Sequence, residues 1–527
     1  MISRISPLLL LFFANTVFGD AIVFNGSTST ECKPGHNDHA SEAAIYMMSR
    51  IYKNSGVPVS TFSTDGKIHC VANHSKSEYT WIKSINGIQI QSEKTTTHTT
   101  PFRSENTGYS DLANELANRT FNPSIASKSA LETEILSRFS TASFLKNKKL
   151  DLYIIDHGGT NTAGENYYSS TFGNSRISGS DIGEKISKTN EGTFRVILDN
   201  CYSGKGIENI LSKIMNKMQK NKNFTVCGIS SAGESETSSS TGLSKFNYYI
   251  SKTKYSGKRS PSLLDLYSEA TKDLQYTSLP QLMSNYIVYN WAGAKLINMQ
   301  PKNIANCDAS CRLKWFGMEV TDHGKLLREL THVTKDTFGI FDCPADRTSM
   351  LKYIKKYLDP FPQLKKIIAA AGNNKIPGWI DDQSQRESRL SDLKDSYLKD
   401  AKTLNALMVE LFKKIRIKTK EAQPLRNKGG IPPGMEHDIN ENTARGRAYA
   451  ENSRKYNTIM KEVETLRRQY QENQKAFYLN YSKFRNLQKF YKTQKLYFGA
   501  LAMQSKANCN EIRFFNRMRA CEAETRP

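Results

Sequence analysis

Three apolar runs of strand length constrain this chain more than any other feature: Leu150–Ile155 (LDLYII), Phe194–Leu198 (FRVIL) and Phe224–Ile229 (FTVCGI). Each ends in a polar or glycine-containing loop, and none alternates cleanly with polar residues. Such runs belong in a sheet buried on both faces, which means largely parallel strands covered by helices. Helical patterns separate them. Ser41–Tyr52 (SEAAIYMMSRIY) sets Ala44, Met47, Met48 and Ile51 on one face, before the turn Asn54-Ser55-Gly56 and a strand from Val57. Ala130–Phe144 and Gly206–Gln219 read as two further helices. The alternation extends from about residue 35 to 295 and predicts an α/β domain, whose chemistry is expected where strand ends meet loops.

Past residue 300 the strand signals fade. Leu393, Tyr397, Leu404, Leu407, Leu411 and Ile415 recur at spacings of three, four or seven. A second series at Ile459, Val463, Leu466, Tyr470, Phe477, Phe484, Leu487 and Tyr491 does the same. Pro424, Gly429, Gly430, Pro432, Pro433 and Gly434 break the pattern between them, so an antiparallel helical hairpin is expected, with Asn473 and Asn480 weakening its seam. A chain of 527 residues exceeds what one core serves. The expected division is a signal peptide over 1–19, an α/β domain over 20–298, a disulfide-containing helical connector over 299–380 and a basic helical hairpin domain over 381–527.

The signal peptide rests on Arg4, the short apolar stretch Pro7–Ala14 and a cleavage pattern at Val17-Phe18-Gly19, ahead of Asp20. It predicts an exported protein, extracellular, periplasmic or in an endolysosomal lumen, without stable membrane insertion because no apolar run approaches a bilayer span. Export favours paired cysteines, and nine is an odd number. Cys32, Cys70, Cys307, Cys311, Cys343, Cys509 and Cys521 are the expected bridge formers, with no deducible pairing. Cys227 lies in an apolar run and reads as buried, which leaves Cys201 over. The Cys307-x3-Cys311 spacing lacks the paired C-x2-C pattern of a zinc site, so neither metal nor cofactor is expected. Asn25, Asn73, Asn118, Asn223 and Asn480 stand in glycosylation triplets that matter only in a eukaryotic secretory pathway.

Two motifs share one architecture. Asp156-His157-Gly158-Gly159 follows the first strand run, and Asp199-Asn200-Cys201-Tyr202-Ser203-Gly204 follows the second. If those strands are parallel neighbours, His157 and Cys201 leave the same sheet edge, giving a thiol nucleophile with an imidazole to exchange its proton. Gly158 permits close backbone approach, and the amides of Gly158 and Cys201 are candidate donors to an oxyanion.

With these residues the sequence resembles the caspase-like cysteine peptidases. Within that group it is similar to the legumain family of asparaginyl endopeptidases and the related glycosylphosphatidylinositol transamidase catalytic subunit. The shared features are the signal peptide, the His39 segment leading into SEAAIYMM, the turn to Gly56-Val57-Pro58, Asp156-His157-Gly158, Asp199 two before Cys201, and the segment Ile229–Ser238. The resemblance spans about residues 35 to 295. It implies a caspase-like sheet flanked by helices, Cys201 as nucleophile, His157 as general acid or base and Gly158 as oxyanion donor. It also implies a specificity pocket lined by Asp199, Ser230, Ser231 and Glu234, with His39 on the near wall. Legumains carry an arginine where this chain has Asp38, so both asparagine and a cationic side chain stand as candidates before the scissile bond.

The expected function is therefore a secreted cysteine endopeptidase acting on protein or peptide substrates, autoinhibited by its C-terminal domain as legumain proenzymes are. Two alternatives are a transpeptidase that resolves the same acyl-enzyme with an amine, and an inactive binding protein that works through its basic helices. Lys and Arg outnumber Asp and Glu by 74 to 51, and residues 301–527 hold 43 against 26. That half suits an anionic surface or acidic partner. Its charges are interspersed with acids, as in Lys461-Glu462-Val463-Glu464, and no nucleic-acid motif is present, so nucleic acid is not expected.

Overall fold

The computed structural model describes residues 19–26, 38–68, 81–82, 90–91, 121–160, 166–169, 176–233, 262–274, 276–296, 343–370, 383–427 and 444–525. Residues 1–18, with most of the expected signal peptide, lie outside the described residues, as do Cys32, Cys70, Cys307, Cys311 and Glu234. Among the described residues no helix is long and apolar enough to cross a membrane.

The sheet has seven strands: β1 (Asp20–Asn25), β2 (Val59–Ser63), β5 (Ser124–Ile125), β6 (Lys149–Ile155), β10 (Gly192–Asp199), β11 (Phe224–Ser230) and β12 (Gln281–Leu282). Their order is β12-β11-β10-β6-β1-β2-β5, and every neighbouring pair is parallel except β11 with β12. A two-stranded ladder of β3 (Trp81–Ile82) with β4 (Ile90–Gln91) stands apart from it. So does a three-stranded sheet of β7 (His157–Thr160), β8 (Asn166–Ser169) and β9 (Arg176–Ser178).

The three apolar runs occupy β6, β10 and β11, whose residues are buried almost end to end. The alternation begins earlier than the expected residue 35, because Asp20–Asn25 forms the fully buried strand between β2 and β6. The first helix, α1 (Asp38–Asn54), contains Ser41–Tyr52 and buries Ala44 and Met48. The single helix expected over Ala130–Phe144 is two, α2 (Lys128–Arg138) and α3 (Ala142–Asn147). Ser127 and Thr141 accept backbone N–H groups at their respective starts, so a second cap interrupts the run.

Helices α4 (Gly179–Ile186) and α5 (Ser203–Lys220) pack together. A Cβ on Gly179 would strike the carbonyl of Gly206, so this crossing needs glycine. The chain continues through α6 (Leu263–Lys272), α7 (Met283–Leu296), α8 (Pro344–Tyr353, extended by a π turn to Leu358) and α9 (Phe361–Ala370). The expected hairpin follows as α10 (Gln383–Asn427) and α11 (Ala444–Lys506). Pro424 does not break α10 but sits inside its last turn. Met408, 8% exposed, takes the seam position expected of Leu407, which is 45% exposed, because the buried residues Ala401, Met408 and Ala422 keep a strict seven-residue register.

The last helix, α12 (Cys509–Ala523), returns to the sheet. Arg195, Asp151 and Cys227 are lateral neighbours on β10, β6 and β11, so their side chains leave one face. On that face Tyr52 of α1 donates to Asp151 at 2.9 Å, and Cys521 of α12 is disulfide-bonded to Cys227. Cys227 is thus buried as expected but paired. A second bridge joins Cys343 to Cys509. Leu496, Met503, Ile512, Phe515 and Met518 belong to the same hydrophobic core as the strands, so core packing runs straight across the expected boundary at residue 381. Beyond α12, Glu524 pairs with Lys149 at 2.5 Å and its carbonyl accepts from Arg195 at 3.3 Å. Lys149 is the first residue of β6, so Glu524 lies at the edge where the strands begin.

Candidate active site

The opposite edge, where β1, β6 and β10 end, carries the two motifs. β6 and β10 pair with Ile155 beside Asp199, and one offset holds along the whole ladder. The two motifs follow directly, His157 two residues after Ile155 and Cys201 two residues after Asp199. His157 opens β7 and is exposed; Cys201 is partly exposed and takes part in neither disulfide. Between β10 and α5 the chain turns through Asn200-Cys201-Tyr202, with Tyr202 at φ 57°, ψ 19°. That left-handed conformation costs a non-glycine residue about 1–3 kcal/mol. The positive end of the 18-residue α5 faces the same turn.

Gly158 is where the motifs touch. A Cβ there would overlap the Cys201 carbonyl oxygen and lie 2.5 Å from Asn200 Nδ2, so only glycine permits this approach. Asn200 Nδ2 also donates to the Cys201 carbonyl at 3.0 Å, bracing the turn from below. Asp156 is 1% exposed; its Oδ1 accepts the His157 N–H at 2.6 Å, and burial holds its carboxyl well above the usual carboxylate range. Asp156 Oδ2, Asn200 Oδ1 and Ser231 Oγ are buried at this edge without a hydrogen-bond partner among the described residues.

The expected pocket residues divide. Asp199, Ser230 and Ser231 are fully buried at the ends of β10 and β11. Tyr153 reaches Asp199 Oδ2 at 3.5 Å. Ser230 Oγ donates to the Ala232 carbonyl at 2.8 Å and accepts from Gln281 N at 3.1 Å, while the Ser231 carbonyl accepts from Tyr276. These groups therefore support the strand ends from beneath. Asp38 and His39 open α1, which follows β1 and so starts at the same edge; Glu234 lies outside the described residues.

No protein-family model, no curated protein and no solved structure matches the chain.

The site therefore stands on its own geometry, and that geometry includes one residue which sequence reasoning read only as a glycan acceptor. Asn25 ends β1 beside Ile155 and is fully buried, which excludes it as an accessible acceptor. A Cβ on the next residue, Gly26, would overlap Asp156 Oδ2, so the end of β1 is pressed against the histidine-bearing turn. The available signal was the strand-length run Ala21–Phe24 ending in a polar residue, the same pattern as the other two motifs. Among the described residues no group of His, Cys, Asp and Glu is placed to hold a metal.

Proposed function

We propose that this chain is a caspase-like cysteine endopeptidase in which Cys201 is the nucleophile and His157 its acid-base partner. The observation that supports the reading is the parallel pairing of β6 and β10 up to Ile155 and Asp199, the residues that lead into the two motifs, with Gly158 against the Cys201 carbonyl. The Cys201 sulfur attacks the substrate carbonyl, and the proton it gives up passes through His157 to the leaving amine. Gly158, whose backbone lies against the Cys201 turn, supplies an N–H to the oxygen that becomes negative. Water then resolves the acyl-enzyme, and His157 takes a proton from it.

The legumain-like resemblance and the sheet order together favour a pocket formed beyond β10 and β11. Because the chain has Asp38 where legumains carry an arginine, a cationic or asparagine side chain is the proposed occupant. Secretion is favoured by the two disulfides. The test is a peptide-library digest by the purified protein, with thiol-reactive peptide labelling alongside. Cys201→Ala and His157→Ala are expected to lower turnover by about 10⁴-fold or more and to remove labelling while melting as the parent does. Cleavage or labelling that survives Cys201→Ala would refute the assignment.

A further inference from the structure

The end of β11 is held from three sides. Ser231 N–H donates to the Leu198 carbonyl of β10 at 2.9 Å, and the Ser231 carbonyl accepts from the Tyr276 hydroxyl. Ala232 N–H donates at 3.0 Å to Oγ of Ser203, which opens α5 two residues after Cys201. Ser203, Ser231, Ala232 and Tyr276 are all fully buried, so losing one of these bonds leaves a polar group unsatisfied away from water.

Tyr276 is itself placed by the hairpin. Helix α6 ends at Lys272, and its last carbonyls have no partner within the helix. Lys489 of α11 meets that demand, its one buried ammonium collecting the carbonyls of Ala270, Asp273 and Tyr276. Asn486, a turn earlier on α11, donates from Nδ2 to the Leu274 carbonyl at 2.7 Å. Between and beside these two, Leu487 and Phe490 pack in one cluster with Leu364 and Ile367 of α9 and Leu390 of α10, so this part of α11 is a fixed platform.

The path from α11 to the strand end is short and continuous. Lys489 fixes the main chain of Tyr276, Tyr276 fixes the carbonyl of Ser231, and the next residue, Ala232, is tied to the helix that follows Cys201. In an open α/β sheet a ligand sits beyond the strand ends, and β11 is the neighbour of the strand that leads to Cys201. Because β6 and β10 pair with each other up to Ile155 and Asp199, a shift of Ser231–Ala232 would alter a wall beside the nucleophile more than the nucleophile itself.

We infer that Tyr276 is a positioning residue for the substrate pocket, held in place by Lys489 and Asn486, so that the helical hairpin sets the pocket wall at the end of β11. The inference rests on the proposed peptidase function, which puts that pocket beyond β10 and β11.

The test uses the full chain with Tyr276→Phe, Asn486→Leu and, as a matched loss of a buried hydroxyl elsewhere, Tyr353→Phe. Circular dichroism melts check that each is folded, and Asn486→Leu carries the same readings should Tyr276→Phe fail to fold. Hydrogen exchange by mass spectrometry is expected to be at least about tenfold faster over residues 228–233 in Tyr276→Phe and several-fold faster in Asn486→Leu, with residues 150–155 unchanged in both. On the best substrate from the peptide library, Tyr276→Phe is expected to raise KM by about fivefold or more with kcat within about threefold. Alkylation of Cys201 by iodoacetamide, which needs no pocket, should keep its rate within about twofold. Tyr353→Phe should reproduce none of the changes. Exchange over 228–233 that matches the parent, exchange that rises equally over 150–155, or a kcat and alkylation rate that fall with KM unchanged would each overturn the assignment. A parent that cleaves no peptide would refute the proposed function instead, and the exchange measurement alone would then decide whether α11 positions this strand end.

Discussion

At the level of single residues, backbone contact matters as much as side-chain chemistry. Gly158 is the sharpest case, since a methyl group there meets the Cys201 carbonyl and Asn200. Neither neighbour can yield without displacing the turn that presents the sulfur. Gly158→Ala is expected to cut peptide turnover by at least about 100-fold with a loss of about 2–4 kcal/mol in stability, read by kinetics and by urea unfolding. Turnover within threefold of the parent would contradict the contact. Lys489 makes a comparable case away from the chemistry. Its Nζ is buried and donates to the carbonyls of Ala270, Asp273 and Tyr276 at 3.2, 2.7 and 2.6 Å, while Tyr276 donates to the carbonyl of Ser231 at the edge that carries His157 and Cys201. Lys489→Met leaves three acceptors unsatisfied and should cost about 3–5 kcal/mol, seen as a lower urea midpoint at unchanged slope. The placement of His157 and Cys201 after neighbouring strand ends was legible in the sequence because each follows an unmistakable buried strand. Lys489 was not, since a lysine in a basic helix looks solvated until its three carbonyl partners are brought to it from residues 270–276.

At the level of elements, legibility followed locality. β6, β10 and β11 were readable because a strand buried on both faces must be apolar throughout, and α5 because its buried stripe repeats at helical spacing. The hairpin was readable too, apart from the one-residue shift from Leu407 to Met408. β1 was overlooked because its run Ala21–Phe24 directly follows an apolar leader-like stretch. The role of α12 had no local signal, since its partner strand lies 294 residues away at the other end of a disulfide. That helix covers the face of β10 and β11 that carries Arg195 and Cys227, so it completes the sheet's burial. A chain ending at residue 508 is therefore expected to be insoluble or to unfold without a cooperative transition. A monomeric, sharply melting truncate would show that α12 is dispensable. Cys227→Ser with Cys521→Ser, which keeps the helix and removes only the bond, should cost about 3–5 kcal/mol from the long loop it closes. A proteolytic nick between residues 297 and 342 would leave the two pieces covalently joined by that same bond, so a C-terminal region released on activation does not fit this connectivity.

At the level of the whole molecule, two buried carboxyls set how stability responds to pH. Glu522 of α12 is fully buried and accepts from Ser284 N at 2.9 Å and Ser284 Oγ at 2.6 Å, and burial pushes it up to about 8 from an ordinary 4.5. Asp156 is raised by burial in the same direction. A carboxyl with a higher pKa folded than unfolded binds its proton more tightly in the native state. Its contribution is complete below the unfolded value near 4.5 and is lost as pH rises through the folded value near 8. For Glu522 this amounts to a few kcal/mol, on the order of 3–5, across that window. These two carboxyls therefore contribute more stability on the acidic side of neutrality than above it. The melting temperature of the parent protein is expected to fall steadily from pH 5 to pH 8.5. Glu522→Gln preserves the shape and the acceptor for Ser284 but cannot ionise, so its profile should be markedly flatter, with the residual slope removed by adding Asp156→Asn. A Glu522→Gln profile parallel to the parent's would show that the carboxyl holding the last helix against α7 is not what couples the fold to protons.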